Sequence, residues 1–172
     1  WVWKYWHQQT DKFLYDIEKI CLINKDSSFR EDYLTIKYDD KHFYKDRILS
    51  CLNEINDEEI VLFCHEDMFL YMKPNFETIN EYINLIENDK CNLIKLIRAF
   101  EGLEKSNLHQ KLFKNPNNQL FSIQPTLLKI KTLKYIYKTV PGNNIWEFEA
   151  NTSKDYLNNL ISLCSFDVNL DK

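Results

Sequence analysis

Glycine and proline are scarce in this chain, with two and four residues in 172. Two glycines cannot build a glycine-rich loop that cradles phosphate, and so few of either leave little room for flexible linkers. Closely spaced cysteine pairs are also lacking. The five cysteines (Cys21, Cys51, Cys64, Cys91, Cys164) are odd in number and widely scattered. That excludes a disulfide framework and a zinc site, and it fits reduced, mostly buried thiols in a cytoplasmic compartment. No apolar run approaches the ~20 residues that a membrane span needs, and no signal-peptide pattern is present. A basic stripe is absent too. With 22 Lys and Arg against 26 Asp and Glu, and a formal charge of −4, a nucleic-acid backbone is not the expected partner. His7 and His109 have no partner at useful spacing, so no Ser/His/Asp or Cys/His set can be assembled.

What remains is a chain with material for one sizeable core. Its 172 residues, with eleven Phe, ten Tyr and four Trp, suit one domain and are too few for two comfortable ones. The start, "WVWKYW", lacks a methionine and is already aromatic-rich, so the chain reads as a fragment or a domain cut from something longer, with an upstream strand missing. Residues 1–15 read as a helix, 19–24 and 32–40 as strands, and Asp40 as the cap of a helix over 41–55. "EIVLFC" (59–64) is a continuous apolar run suited to a central strand covered on both faces. Residues 75–88 read as a helix capped by Asn75, with Glu77 in its first turn. Strands are expected over 92–100 and 119–125, then a helix over 130–139 ended by Pro141 and Gly142. "LLKIKTLKYIYK" (127–138) reads as amphipathic with a solvated lysine face. Beyond 152, a helix over "SKDYLNNLISLC" and a short strand, "SFDVN", form a tail on the 1–152 core. This order predicts a single α/β domain over 1–172 with an open, mostly parallel sheet flanked by helices.

In such sheets ligands sit beyond the carboxyl ends of the strands. Glu66 and Asp67 stand just past the end of the 60–64 strand. Hard oxygen donors there suit Mg²⁺ or Mn²⁺, which would neutralise a bound diphosphate; two acids solvating a turn is the plain alternative. Three stretches, "YKDRILSCLNEINDEEIVLFCHEDMFL" (44–70), "FSIQP" (121–125) and "IWEFE" (145–149), come in an order and spacing that resembles nucleotide-sugar glycosyltransferases of the GT-A fold. The likeness is nearest to a small bacterial and viral group related to glycosyltransferase family 2, and it covers roughly residues 1–152. "HEDM" stands where a full acidic triplet is usual, and the fold's first strand is absent or reduced to a few residues.

The resemblance implies a GT-A-like, Rossmann-related domain. It would transfer a sugar from a nucleoside-diphosphate sugar to a glycan or other hydroxyl acceptor, inverting and dependent on Mn²⁺ or Mg²⁺. Asp67, helped by Glu66, would hold the metal; His65 is a candidate nitrogen ligand or a hydrogen-bonded structural residue. Asp46 and Arg47 would face the sugar-nucleotide pocket, with Arg47 on phosphate, or else form an ordinary helix start. Asp40 could reach a ribose or base. Gln124 would orient a sugar, and Trp146 would stack on one. An inverting transfer needs one carboxylate to deprotonate the attacking hydroxyl; the resemblance favours Glu149, with Glu147 as the alternative base. The rival expectation is a catalytically inactive GT-A-like binding domain, in keeping with the thinned acidic motif and the missing strand.

Overall fold

The computed structural model describes residues 2–25, 33–65, 67–68, 70, 72–97 and 102–165. Helix α1 (Val2–Phe13) precedes two short parallel strands, β1 (Ile20–Asn24) and β2 (Leu34–Tyr38), which form a sheet of their own. Their alternation decides the packing. Cys21 and Ile23 lie with Tyr33 and Trp6, on the side that includes α1, whereas Leu22 joins the main core. Helix α2 (Tyr44–Leu52) follows, buried along Ile48, Cys51 and Leu52. Its N-cap is Phe43, which offers no side-chain bond, so the expected capping by Asp40 is corrected. The Asp40 carboxylate instead meets Arg47 at 3.0 Å.

The main sheet has five strands in the order β3-β6-β4-β7-β5. These are β3 (Ile60–Phe63), β4 (Leu93–Lys95), β5 (Leu112–Lys114), β6 (Thr126–Lys129) and β7 (Ser162–Ser165). Only β4 and β7 pair in parallel; β3–β6, β4–β6 and β5–β7 are antiparallel. The sheet is therefore mixed, which corrects the mostly parallel expectation. The 60–64 strand is a half-buried edge strand of this sheet, not its centre. The strand expected over 119–125 falls instead on 126–129, which overlaps the start of the 127–138 stretch read as an amphipathic helix. Helix α4 (Ile130–Thr139) begins directly after it, with Lys129 as N-cap. Residues 162–164, read as the end of a tail helix, form with Ser165 a strand inside the sheet between β4 and β5; the rest of the short strand expected over "SFDVN" lies outside the described residues.

Period-2 alternation places the two cores. Leu93 and Leu128 point to one face and pack with α2, α4 and α5 (Ile145–Ala150) through Ile48, Leu52, Leu133, Ile136, Tyr137 and Phe148. Ile94, Leu127 and Leu163 point to the other, where α3 (Phe76–Glu87) covers them with Tyr82 and Ile86. Asn75 caps α3 as expected, accepting a hydrogen bond from the Thr78 N–H at 3.2 Å. The short helix α6 (Lys154–Leu157) buries Leu157 before the chain enters β7.

Gly142 is what lets α5 sit so close. A Cβ there would lie 2.6 Å from the backbone nitrogen of Phe148 and 2.7 Å from its Cα, at a φ of +153°. Gly142→Ala is expected to destabilise the protein by about 1–3 kcal/mol, measured by chemical denaturation.

Candidate functional site

From the pairings, β3, β4 and β7 run in one direction and β5 and β6 in the other. The carboxyl ends of β3, β4 and β7 therefore share one end of the sheet, which also receives the 121–125 segment leading into β6. Thr126 pairs there with both Phe63 and Lys95.

The late tryptophan segment is turned toward this end by its own helix start. Asn144 caps α5, its side-chain oxygen accepting the Glu147 N–H at 3.0 Å, and Glu147 in return accepts the Asn143 N–H at 3.0 Å. This reciprocal capping commits Glu147 to the helix terminus, on the exposed side. Phe148 goes into the core, and Trp146 is left 77 % exposed. Glu149 is half-buried, and its Oε1 accepts the Ile123 N–H at 2.6 Å. Of the two acids, Glu149 is the one directed at the sheet.

Lys95 ends the central strand. It is 0 % exposed, and its Nζ has no hydrogen-bond partner among the described residues. Burial pushes its pKa below the ordinary lysine range, with Cys164 and Glu149 acting in the opposite sense. The opposite end of the sheet shows the usual solution for a buried lysine. Lys129 pairs with Asp89 at 2.9 Å and Glu58 at 3.7 Å, and the hydrogen bond it donates to Asp89 leads in raising its pKa. Lys95 has no such arrangement.

A chain of hydroxyls runs from His65, beside the first acidic segment, to Tyr137 on α4. Tyr137, wholly buried, shares a 2.9 Å hydrogen bond with the Tyr44 hydroxyl, which lies 3.3 Å from His65 Nε2. Burial, then Tyr44, holds the Tyr137 phenol well above its ordinary range, with Glu149 contributing. Phe148 stacks on the Tyr137 ring at 4.4 Å.

The other expected residues divide. Asp67 is exposed in the turn after β3, where the Met68 N–H bonds to the His65 carbonyl at 3.1 Å; Glu66 lies outside the described residues. No three His, Cys, Asp or Glu side chains gather as a metal-holding group among the described residues. Arg47 is tied locally, donating to the His42 carbonyl at 2.7 Å and pairing with Asp40. Asp46 is exposed in the first turn of α2. Gln124 accepts from the Ser122 hydroxyl at 3.3 Å, as a turn residue does. The fold thus brings Glu149 and the segment bearing Gln124 to one place, links His65 through Tyr44 to Tyr137, and keeps Asp40 and Arg47 to each other. Two clefts lie elsewhere: about 240 Å³ beside Tyr15 and Tyr33, and about 480 Å³ beside Glu58 and Lys129.

Sequence reasoning missed Lys95 and Tyr137 and gave Tyr44 no role of its own. For Lys95 a signal existed: a lysine interrupting the apolar run of "NLIKLIRAF". For the tyrosines there was none, because Tyr44 and Tyr137 are 93 residues apart. Comparison of the chain with protein-family models, with curated proteins and with solved structures finds no match.

Proposed function

We propose that this is a GT-A-like domain that transfers a sugar from a nucleoside-diphosphate sugar to a glycan or other hydroxyl acceptor. The observation that supports this reading is the meeting of two distant segments at one sheet end. His65, two residues before Asp67, is linked through Tyr44 to Tyr137, which lies within the electrostatic reach of Glu149. In this reading Glu149 accepts the proton of the attacking hydroxyl, its position fixed by the Ile123 N–H. The departing diphosphate calls for a divalent ion, Mn²⁺ or Mg²⁺, with Asp67 and Glu66 as its oxygen donors. Trp146, exposed on the same short helix, offers a face for a sugar ring. Asp46, Gln124 and Glu147 are given no part.

The second reading, a binding domain without catalysis, is favoured by the Asp40–Arg47 pair, which leaves Arg47 engaged with its own neighbours. Calorimetric titration with uridine and guanosine diphosphates and their sugars, with and without Mn²⁺, separates the two. The transferase reading expects binding that needs the metal and is lost in Asp67→Ala. If no nucleoside-diphosphate sugar binds under either condition, it fails.

A further inference from the structure

Strand β3 pairs with β6 on one side and with no strand on the other among the described residues. The Ile130 N–H donates to the Glu59 carbonyl at 2.9 Å, which fixes the phase of this antiparallel ladder. Val61 and Phe63 share that phase and turn their backbone groups to β6; the N–H and C=O groups of Ile60 and Leu62 point to the open edge. At the start of that edge lies the larger cleft, about 480 Å³, lined by Glu58, Glu59, Ile60, Ile83, Glu87 and Lys129. Part of this lining is apolar. Ile60 and Ile83 are both half-buried, and Ile83 belongs to neither of the cores flanking the sheet.

The charge of the cleft decides what fits there. Lys129 pairs with Asp89 and Glu58, and Lys131 with Glu58, so both lysines are already engaged. The carboxylates of Glu59 and Glu87 have no ion pair or hydrogen bond among the described residues. Glu87 also ends α3, at the negative pole of the helix dipole, and no basic residue in the last turn answers it. We infer that the open edge of β3 is a docking site for an extended, basic segment of a partner protein. The segment adds a strand beside Ile60 and Leu62 and places a lysine or arginine in the cleft, against Glu59 and Glu87. A second copy of this chain fits badly. Antiparallel pairing of two β3 strands brings each cleft toward the other's turn after β3, where Asp67 is exposed, so that acid meets acid. The cleft lies at the end of the sheet away from Glu149, and the inference does not rest on the transferase reading.

Amide hydrogen exchange and nitrogen-15 correlation spectra of the full chain test it. The probe is a short synthetic peptide that alternates valine and threonine and carries lysine at one end. In the free chain the Ile60 and Leu62 amides are expected to exchange quickly, while those of Val61 and Phe63, bonded to β6, are protected. The peptide is expected to shift and protect Ile60 and Leu62. It should bind roughly tenfold more tightly at low salt than a twin with glutamate in place of the lysine. Glu59→Gln combined with Glu87→Gln, at two exposed positions, is expected to leave the rest of the spectrum unchanged and to erase that preference. Protection of Ile60 and Leu62 in the free monomer would mean that the chain covers its own edge, and it overturns the inference. So do equal binding of the two peptides, binding of neither, and a preference that survives in the double variant. Protection that appears only as the chain dimerises in sedimentation runs makes a second copy the occupant and overturns it as well.

Discussion

Phe148→Ala is expected to cost about 3–5 kcal/mol of stability, as for other buried aromatic truncations. Phe148 is 0 % exposed and stacks on Tyr137 at 4.4 Å, with Tyr44 and Phe121 edge-on at 6.1 and 6.3 Å. Alanine would leave a void that these rings cannot close, since each is held by other neighbours. The loss would reach the site as well, because the same two tyrosines carry the hydroxyl chain to His65. Two residues earlier, Trp146 supplies the control. At 77 % exposure, Trp146→Ala is expected to change stability by no more than about 0.5 kcal/mol. Urea denaturation of both variants checks the pair. Equal losses would mean that α5 is not seated as described.

Lys95→Met is expected to act in the opposite sense and to stabilise the protein by about 1–4 kcal/mol. A buried ammonium without a hydrogen-bond partner among the described residues costs desolvation that the charge of Glu149 only partly offsets, and methionine fills similar space without that cost. At this chain length each kcal/mol is roughly 2–4 °C in Tm. The pH dependence has a fixed sign. Lys95 has a folded pKa below its ordinary 10.5, so the unfolded chain binds the extra proton between the two values. Wild-type stability therefore gains from this group as pH rises through the lowered pKa toward 10.5, and the penalty is fully present below it. The advantage of Lys95→Met should be largest below the lowered pKa and shrink as pH rises toward 10.5. A variant less stable than wild type at neutral pH would mean that Lys95 has a partner after all. A position where the native residue opposes stability is where a function is to be sought.

The correctly read elements were those with a long period. Helix α3 shows a four-member apolar face and an asparagine cap, and β2 alternates cleanly over five residues. The misread ones are strands of three or four residues. Strand β6, "TLLK", is continuous in sequence with α4, and a four-residue apolar run carries no period that separates strand from helix. Strand β5, "LFK", is too short to carry a period either. For β7, "NNLISLC" fits both the helix and the strand pattern. The strand at 60–64 read as central because it is apolar throughout, yet its neighbours in space decided that it lies at the edge. Arg47 illustrates the same limit at the site: the sequence offered it to a phosphate, and folding gave it Asp40, seven residues earlier.

Composition and period alone settled that this chain is an α/β domain, where its longer helices lie, and that two carboxylates follow an apolar strand. Those properties are local, carried by residues a few positions apart. The direction of the strands, the meeting of Tyr44 with Tyr137, the inward turn of Glu149 and the isolation of Lys95 were decided only in three dimensions. Each depends on which distant segments share a hydrogen bond or are denied one, and that follows from how the whole chain closes around its two cores.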